Sequence, residues 1–264
     1  MGRKSYLIWL YILGVLLLAC IVCISREGFQ DATYYTIHSR TYDGFGTQYH
    51  AIMSGIAYSK SRGYVYVHTP FREMSHGGDV SALNEFIGIQ TSSMAKDLKA
   101  VKTEEFSREV HESERPSKYY TPEVIQILRD YYYSTEKPTI SENDIAVHIR
   151  RGDVAPNANT WGDRYTSNND YKKILAMLRR EYPSYTISIH SEGTQDEFSD
   201  LLGKNITCNL NEDVRQTFHS LVTAKVLVMA KSSLSYSAAI LNEGTVYYQD
   251  FWHKPLDGWK NVLR

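Results

Sequence analysis

Three short segments of the 264-residue chain hold residue types suited to gripping an anion. The first is His148-Ile149-Arg150-Arg151-Gly152-Asp153. An arginine presents a planar fork of donors that meets phosphate oxygens in pairs. Two in a row, with Asp153 placed to orient one of them, suit a diphosphate. The same spacing equally describes a surface pair neutralised by Asp144, Asp153 or Asp163. Arg151-Gly152-Asp153 also spells an integrin-recognition tripeptide, but it abuts a predicted buried strand rather than an exposed loop tip. The second segment is Lys231-Ser232-Ser233-Leu234-Ser235-Tyr236-Ser237. Hydroxyls and free backbone N–H groups at a helix start form an anion site, although one serine would suffice as a simple N-cap. The third is Gly44-Phe45-Gly46-Thr47-Gln48, where a glycine turn either closes a tight bend or lets the backbone approach a ligand.

Elements that would position these residues are legible mainly in the second half. Asp144–Ile149 reads as an apolar strand and Asn169–Arg180 carries helical spacing. Strands around 185–190, 206–210, 226–229 and 245–248 alternate with helices at 194–202, 214–223 and 233–241. Strands alternating with helices predict an α/β fold with a parallel, doubly wound sheet, whose ligands bind at the carboxyl ends of the strands. Both the arginine pair and the serine block fall at such ends. In the first half, strands are expected near 36–38 and 64–68 and a helix at 49–59. Thr121-Pro122-Glu123 starts a helix with a capping hydroxyl, a first-turn proline and an acid at the positive end, running to Tyr133. Residues 72–118 carry no clear pattern. A polar break at Lys137-Pro138 divides the halves.

Composition excludes other classes. With 29 basic and 30 acidic residues and no block of one sign, a general nucleic-acid binder is not expected. The 21 tyrosines, clustered at 34–35, 119–120 and 131–133, are read as amphipathic packing at half-buried surfaces, with sugar stacking as the sharper reading. Ser5–Ile24 is an uncharged run long enough to cross a bilayer core of roughly 30 Å. Arg3 and Lys4 precede it, favouring a cytoplasmic N-terminus. It is read as an uncleaved signal anchor rather than a cleaved signal or a lipoprotein box at Leu17–Cys20. Cys20 and Cys23 lie in that run, so Cys208 stands alone and no zinc site with cysteine spacing exists. Asn205-Ile206-Thr207 is a glycosylation sequon if the domain faces a secretory lumen.

Together the three segments resemble the superfamily of inverting fucosyltransferases, comprising α1,2-, α1,6- and protein O-fucosyltransferases. Its His-x-Arg-Arg-x-Asp signature is filled by His148, Arg150, Arg151 and Asp153. Ser232-Ser233-Leu234-Ser235-Tyr236, with Ala238, Ala239, Leu241 and Asn242, is similar to its serine block and following helix. Asp43-Gly44-Phe45-Gly46-Thr47-Gln48 is similar to its N-terminal glycine turn, with Asp43 and Thr47 as departures. The resemblance spans roughly residues 36–250 and lies closest to the α1,2 branch.

This resemblance implies a GT-B architecture of two Rossmann-like lobes with mostly parallel sheets. Residues 1–30 would be a cytoplasmic tip and signal-anchor transmembrane helix, 31–140 the acceptor-side lobe and 141–264 the donor lobe. It implies a type II membrane enzyme, Golgi-like in a eukaryote, with a bacterial inner-membrane or viral origin also compatible. Its partners would be a nucleotide sugar and a glycan or glycoprotein acceptor. The implied catalytic residue is Arg150, on the β-phosphate of GDP-fucose. The implied donor contacts are His148, Arg151, Asp153, Glu192, Ser232, Ser233, Ser235, Gly44 and Gly46. No cofactor and no metal are expected; the soluble part has no Asp-x-Asp run. The stretch Val154–Ala158, where some members place a catalytic glutamate, has no acid, leaving Asp163, Glu73 and Asp43 as candidate bases. The alternatives are a different nucleotide-sugar donor, or donor binding without catalysis.

Overall fold

The computed structural model describes residues 33–37, 42–75, 78–90, 101–104, 107–140, 144–156 and 162–262. The expected membrane anchor lies outside these. Among the described residues, no helix is long and apolar enough to cross a membrane.

Two all-parallel sheets organise the chain. The smaller has β1 (Tyr34–Ile37) between β2 (Val65–Tyr66) and β3 (Val101–Glu104). The larger takes β4 (Ile145–His148), β5 (Ile187–Ser191), β6 (Ile206–Leu210), β7 (Val226–Val228), β8 (Thr245–Tyr248) and β9 (Lys260–Asn261). Its order is β6-β5-β4-β7-β8-β9. The sheet grows one way from β4 through β6, then resumes on the other side of β4 at β7. That reversal between β4 and β7 is the topological switch point at which open parallel sheets bind ligands.

The strands are apolar on both faces because helices cover both. Val226 and Val228 join Ile145, Val147, Ile187 and Ile189 against helix α5 (Asn168–Glu181), through Tyr171, Ile174 and Leu178. Leu227, Ala146 and Val246 turn the other way, under α6 (Val214–Thr223) and α7 (Ser233–Leu241). The same second core continues into the first half of the chain. It takes in Tyr49, Met53 and Ile56 of α1 (Phe45–Arg62), Leu83 and Phe86 of α2 (Val80–Phe86), and Leu128 and Tyr132 of α4 (Pro122–Tyr133). The two halves therefore share one continuous core, and Arg129 ties them further by donating to the carbonyls of Leu241 and Asn242.

Helix starts match their capping residues. Thr121, Ser167, Asp213 and Ser232 each accept a hydrogen bond from a backbone N–H of the first turn. Three elements differ from expectation. The helix expected at 49–59 begins four residues earlier, at Phe45, directly on the glycine turn. The segment expected as a helix at 194–202 forms only a 3-10 turn, Gln195–Phe198. Its buried anchors Phe198 and Leu201 are spaced by three, which suits the tighter winding. The unpatterned stretch 72–118 holds α2, β3 and a single turn α3 (Arg108–His111). All three are too short to show a hydrophobic period. Six of the tyrosines go further inside than half-buried: Tyr35, Tyr49, Tyr132, Tyr171, Tyr236 and Tyr248 are wholly buried.

Candidate functional site

Arg150 and Ser232 leave the adjacent strands β4 and β7 at their carboxyl ends, on either side of the switch point. The Arg150 guanidinium donates to the Ser232 hydroxyl at 3.3 Å, joining two segments 82 residues apart in sequence. Its Nε and Nη2 donate to the two oxygens of Asp153, at 3.3 and 2.7 Å. Asp153 can reach back because Gly152 turns the chain at φ 76°. A Cβ at Gly152 would meet only the movable carboxylate of the exposed Glu192, so it is the left-handed conformation that calls for glycine there. The guanidinium is thus held in a fixed plane at the strand end. Three hydrogen bonds engage only part of its donor set, and the remainder can meet a ligand.

The neighbouring arginine does something else. Arg151 is 7 % exposed and donates to the carbonyls of Arg150 and Thr166 and to Asn168 Oδ1. Its guanidinium stacks on Tyr165 at 4.4 Å. Consecutive residues leaving a strand point to opposite sides: Arg150 faces the switch point, and Arg151 pins the loop to the start of α5. These contacts give Arg151 a structural role in this loop. The same burial removes the adhesion reading, since the tripeptide's arginine is enclosed.

The serine block divides in a similar way. Ser232 caps α7, accepting from Leu234 N while also accepting from Arg150. Ser233 pairs with His253 Nε2 at 3.1 Å. Ser235 is wholly buried and donates to the carbonyls of Ala230 and Ser232, closing the β7–α7 turn. Of these three hydroxyls, only that of Ser232 touches Arg150. Ser233 and Ser235 spend theirs inside the protein.

The glycine turn lies against the same helix start. A Cβ on Gly46 would fall 2.4 Å from Leu234 N and Cα. Glycine here lets the first turn of α1 sit directly on the first turn of α7, which accounts for the residue without a ligand. Gly44 is the N-cap of α1, with no side-chain cap bond. The amino ends of two helices, each carrying partial positive charge, therefore converge beside Arg150 and Ser232.

His148 is buried at the end of β4, level with His190 on β5. Burial first, then the charges of Arg150 and His190, hold its imidazole down to about 3, so it is neutral at pH 7. His190 Nδ1 lies 3.0 Å from Glu212 Oε2. Glu192 is exposed, with its carboxylate over Gly152. Sequence reasoning missed the His190–Glu212 pair, because the two residues are brought together only by the pairing of β5 with β6.

It also missed Arg164. That guanidinium lies 4.3 Å over the Trp252 ring. Burial lowers its pKa most, followed by the charge of Arg150, while Asp163, Asp153 and Asp43 act in the opposite direction. A second arginine thus lies within electrostatic reach of Arg150, itself influenced by Asp163, Asp153 and Asp43. The signal was a third arginine shortly after the first two, easily taken for an ordinary surface charge. Of the candidate bases, Asp43 and Glu73 are gathered at the start of α1, where Gln48 Nε2 donates to both their carbonyls at 2.7 and 2.9 Å. Asp163 accepts from Lys231 Nζ through its own carbonyl. A concavity of about 410 Å³ between Tyr133, Lys225 and Gly244 lies at the amino ends of β7 and β8, the opposite edge of the sheet from Arg150.

No protein-family model matches the chain, and no curated protein matches it. Solved structures similar to it include POFUT1 in complex with GDP-fucose, at 11 % identity and TM-score 0.42, over 83 % of this chain and 97 % of that one. POFUT1 in complex with GDP matches at 12 % identity and the same TM-score, over 82 % and 97 % of the two chains. The E. coli heptosyltransferase WaaC with ADP-2-deoxy-2-fluoro heptose matches at 10 % identity and TM-score 0.40, over 86 % and 92 %.

Proposed function

We propose that the chain is an inverting glycosyltransferase that takes fucose from GDP-fucose and passes it to a glycan or glycoprotein acceptor. The single observation that supports this most is the Arg150–Ser232 contact at the switch point. It brings the arginine signature and the serine block, each recognised separately in the sequence, into one anion site. As the sugar–phosphate bond breaks, negative charge grows on the departing nucleotide and positive charge on the sugar ring. A guanidinium already oriented by Asp153 stabilises that charge without reorganising, and it does so more in the transition state than in the ground state. In this reading Arg150 supplies what a divalent ion supplies elsewhere. Ser232 and the helix ends steady the diphosphate, and His148 and Glu192 border the nucleoside. Arg151 and Ser235 hold the frame. Asp43, Asp163 and Glu73 remain the candidates for activating the acceptor. In the same proposal residues 1–30 tether the enzyme to a membrane.

The test is a donor panel. Purified protein is incubated with GDP-fucose, other GDP-sugars and UDP-sugars against an acceptor-glycan array. Transfer from GDP-fucose supports the proposal, and turnover of UDP-sugars alone overturns the donor. Tight GDP binding with no transfer to any acceptor would reduce the chain to a donor-binding protein.

A further inference from the structure

Three histidines from distant parts of the sequence meet in the interior: His50 on α1, His111 on α3 and His253 beyond β8. One nitrogen of each lies within 4.8 Å of one nitrogen of both others. Ring centroids are 4.3 Å apart for His50–His111, 4.4 Å for His50–His253 and 4.9 Å for His111–His253. His50 and His253 are 1 % and 2 % exposed. Both ring nitrogens of His50 are buried with no hydrogen-bond partner. Packing against Tyr236, 4.9 Å away, explains an aromatic ring at this position but not one with two buried polar atoms. A phenylalanine would fill the space with no desolvated nitrogen, and buried polar groups are ordinarily paired.

From this geometry we infer that His50, His111 and His253 form a binding site for a zinc-class divalent transition ion that fastens the two halves of the chain together. Three neutral imidazoles with a fourth oxygen ligand are an established donor set for Zn²⁺, with Zn–N bonds of about 2.0–2.1 Å. Tetrahedral geometry places such nitrogens about 3.4 Å apart and their ring centroids about 5 Å apart, so with centroids already at 4.3–4.9 Å the rings have to turn their nitrogens inward rather than move closer. His253 Nδ1 is 3.2 Å from the His111 carbonyl, the outer contact that fixes the tautomer of a ligating histidine and leaves Nε2 for the metal. The Ser233 hydroxyl, 3.1 Å from that Nε2, stands where a fourth oxygen ligand or its water would be. Burial holds His50 and His253 in the neutral form that ligation needs. The ion would touch no reacting group. It would lock α1 and α3 to the 253 loop and, through Ser233, to the start of α7. The site is independent of which sugar the protein transfers.

The experiment uses the full chain purified without a polyhistidine tag. Elemental analysis after desalting is expected to find about one zinc per chain, and Co²⁺ replacement to give the intense visible bands of a tetrahedral site. Added Zn²⁺ should raise Tm by several degrees and a chelator should reverse it. In His50→Phe, which keeps the ring and removes both nitrogens, the metal content, the bands and the Zn²⁺-dependent rise should vanish from a folded protein. Substoichiometric zinc, no cobalt bands and a Tm indifferent to Zn²⁺ and chelator in the wild type would overturn the site. That wild-type result decides the matter even if the variant does not fold.

Discussion

Replacing Arg150 by lysine separates the charge of the site from its geometry. The guanidinium makes three hydrogen bonds: two to Asp153 and one to Ser232. An ammonium on a flexible stem can keep one contact with Asp153 Oδ2, but cannot also reach Ser232 and present a planar edge to a phosphate. The Arg150–Asp153 side chains are 21 % and 31 % exposed, so weakening their pair should cost less than about 1 kcal/mol of stability. Losing an oriented donor to the leaving group should cost about 2.7–4 kcal/mol of transition-state stabilisation, a fall in kcat of about a hundred- to a thousandfold. The assay is initial-rate GDP release from GDP-fucose with a saturating acceptor, alongside circular dichroism and a denaturant melt. The expected pattern is a collapsed kcat in a protein with near-wild-type unfolding. Ser232→Ala alone should lower kcat less, and the double variant should fall short of the summed losses, because the serine acts by orienting the arginine. A lysine variant with kcat/KM within about threefold of wild type would refute the role given to the fork.

The other expectations are structural. Arg151→Met should destabilise by about 2–4 kcal/mol, because Thr166 O and Asn168 lose a buried donor, while GDP affinity per folded molecule stays unchanged; calorimetric titration distinguishes this from a donor contact. Gly46→Ala should cost about 1–3 kcal/mol or more in a denaturant melt, since the methyl meets helix backbone at 2.4 Å, which cannot rotate away. The fold should also weaken in acid. His148 and His68 are held down to about 3 and about 4, chiefly by burial, against an ordinary value of 6.5. The unfolded chain therefore binds more protons between these values. Their contribution is complete above pH 6.5 and is lost as pH falls towards 4 and then 3, at about 2 kcal/mol per histidine by pH 5. Urea midpoints at pH 7.5 and pH 5 check this, and His68→Gln should shrink the difference by about that amount.

The donor-side elements were legible because their signals are local. A run such as Val226–Met229 followed by serines and an apolar helix announces strand, turn and helix within sixteen residues, and Thr121-Pro122-Glu123 announces a helix start within three. What was not legible is what depends on pairing. The order β6-β5-β4-β7-β8-β9, which places Ser232 on Arg150, is a property of the whole sheet. His190 meets Glu212, and Arg164 approaches Asp43, only once distant segments are brought side by side. The three histidines show the same limit more sharply. Metal sites are read from short spacings such as two cysteines or histidines a turn apart, and positions 50, 111 and 253 have no such spacing. The glycine turn was open for another reason: the sequence shows that a side chain is excluded but not by what, and in the structure the backbone of Leu234 excludes one at Gly46.

The shared core bears on how the proposed reaction would run. Lobes joined only by a linker would have to close on the donor before the phosphate contacts existed, and closure would then carry part of the binding energy. Here α1 is packed on α7 through Gly46, Ser237 donates to the Gly46 carbonyl at 3.2 Å, and Arg129 spans to the end of α7. The two helix amino ends and Arg150 are therefore assembled before any ligand arrives. Preorganisation of this kind places the donors where charge will develop, and it is the condition under which a single guanidinium can carry the thousandfold effect assigned to it. It also locates the remaining freedom. Asp43 and Glu73 sit on the segments around Gln48, at the near edge of the first half, whereas Asp153 is committed to Arg150. In the proposed reaction, the group that activates the acceptor should come from that edge or from Asp163, opposite the preassembled Arg150 and helix amino ends.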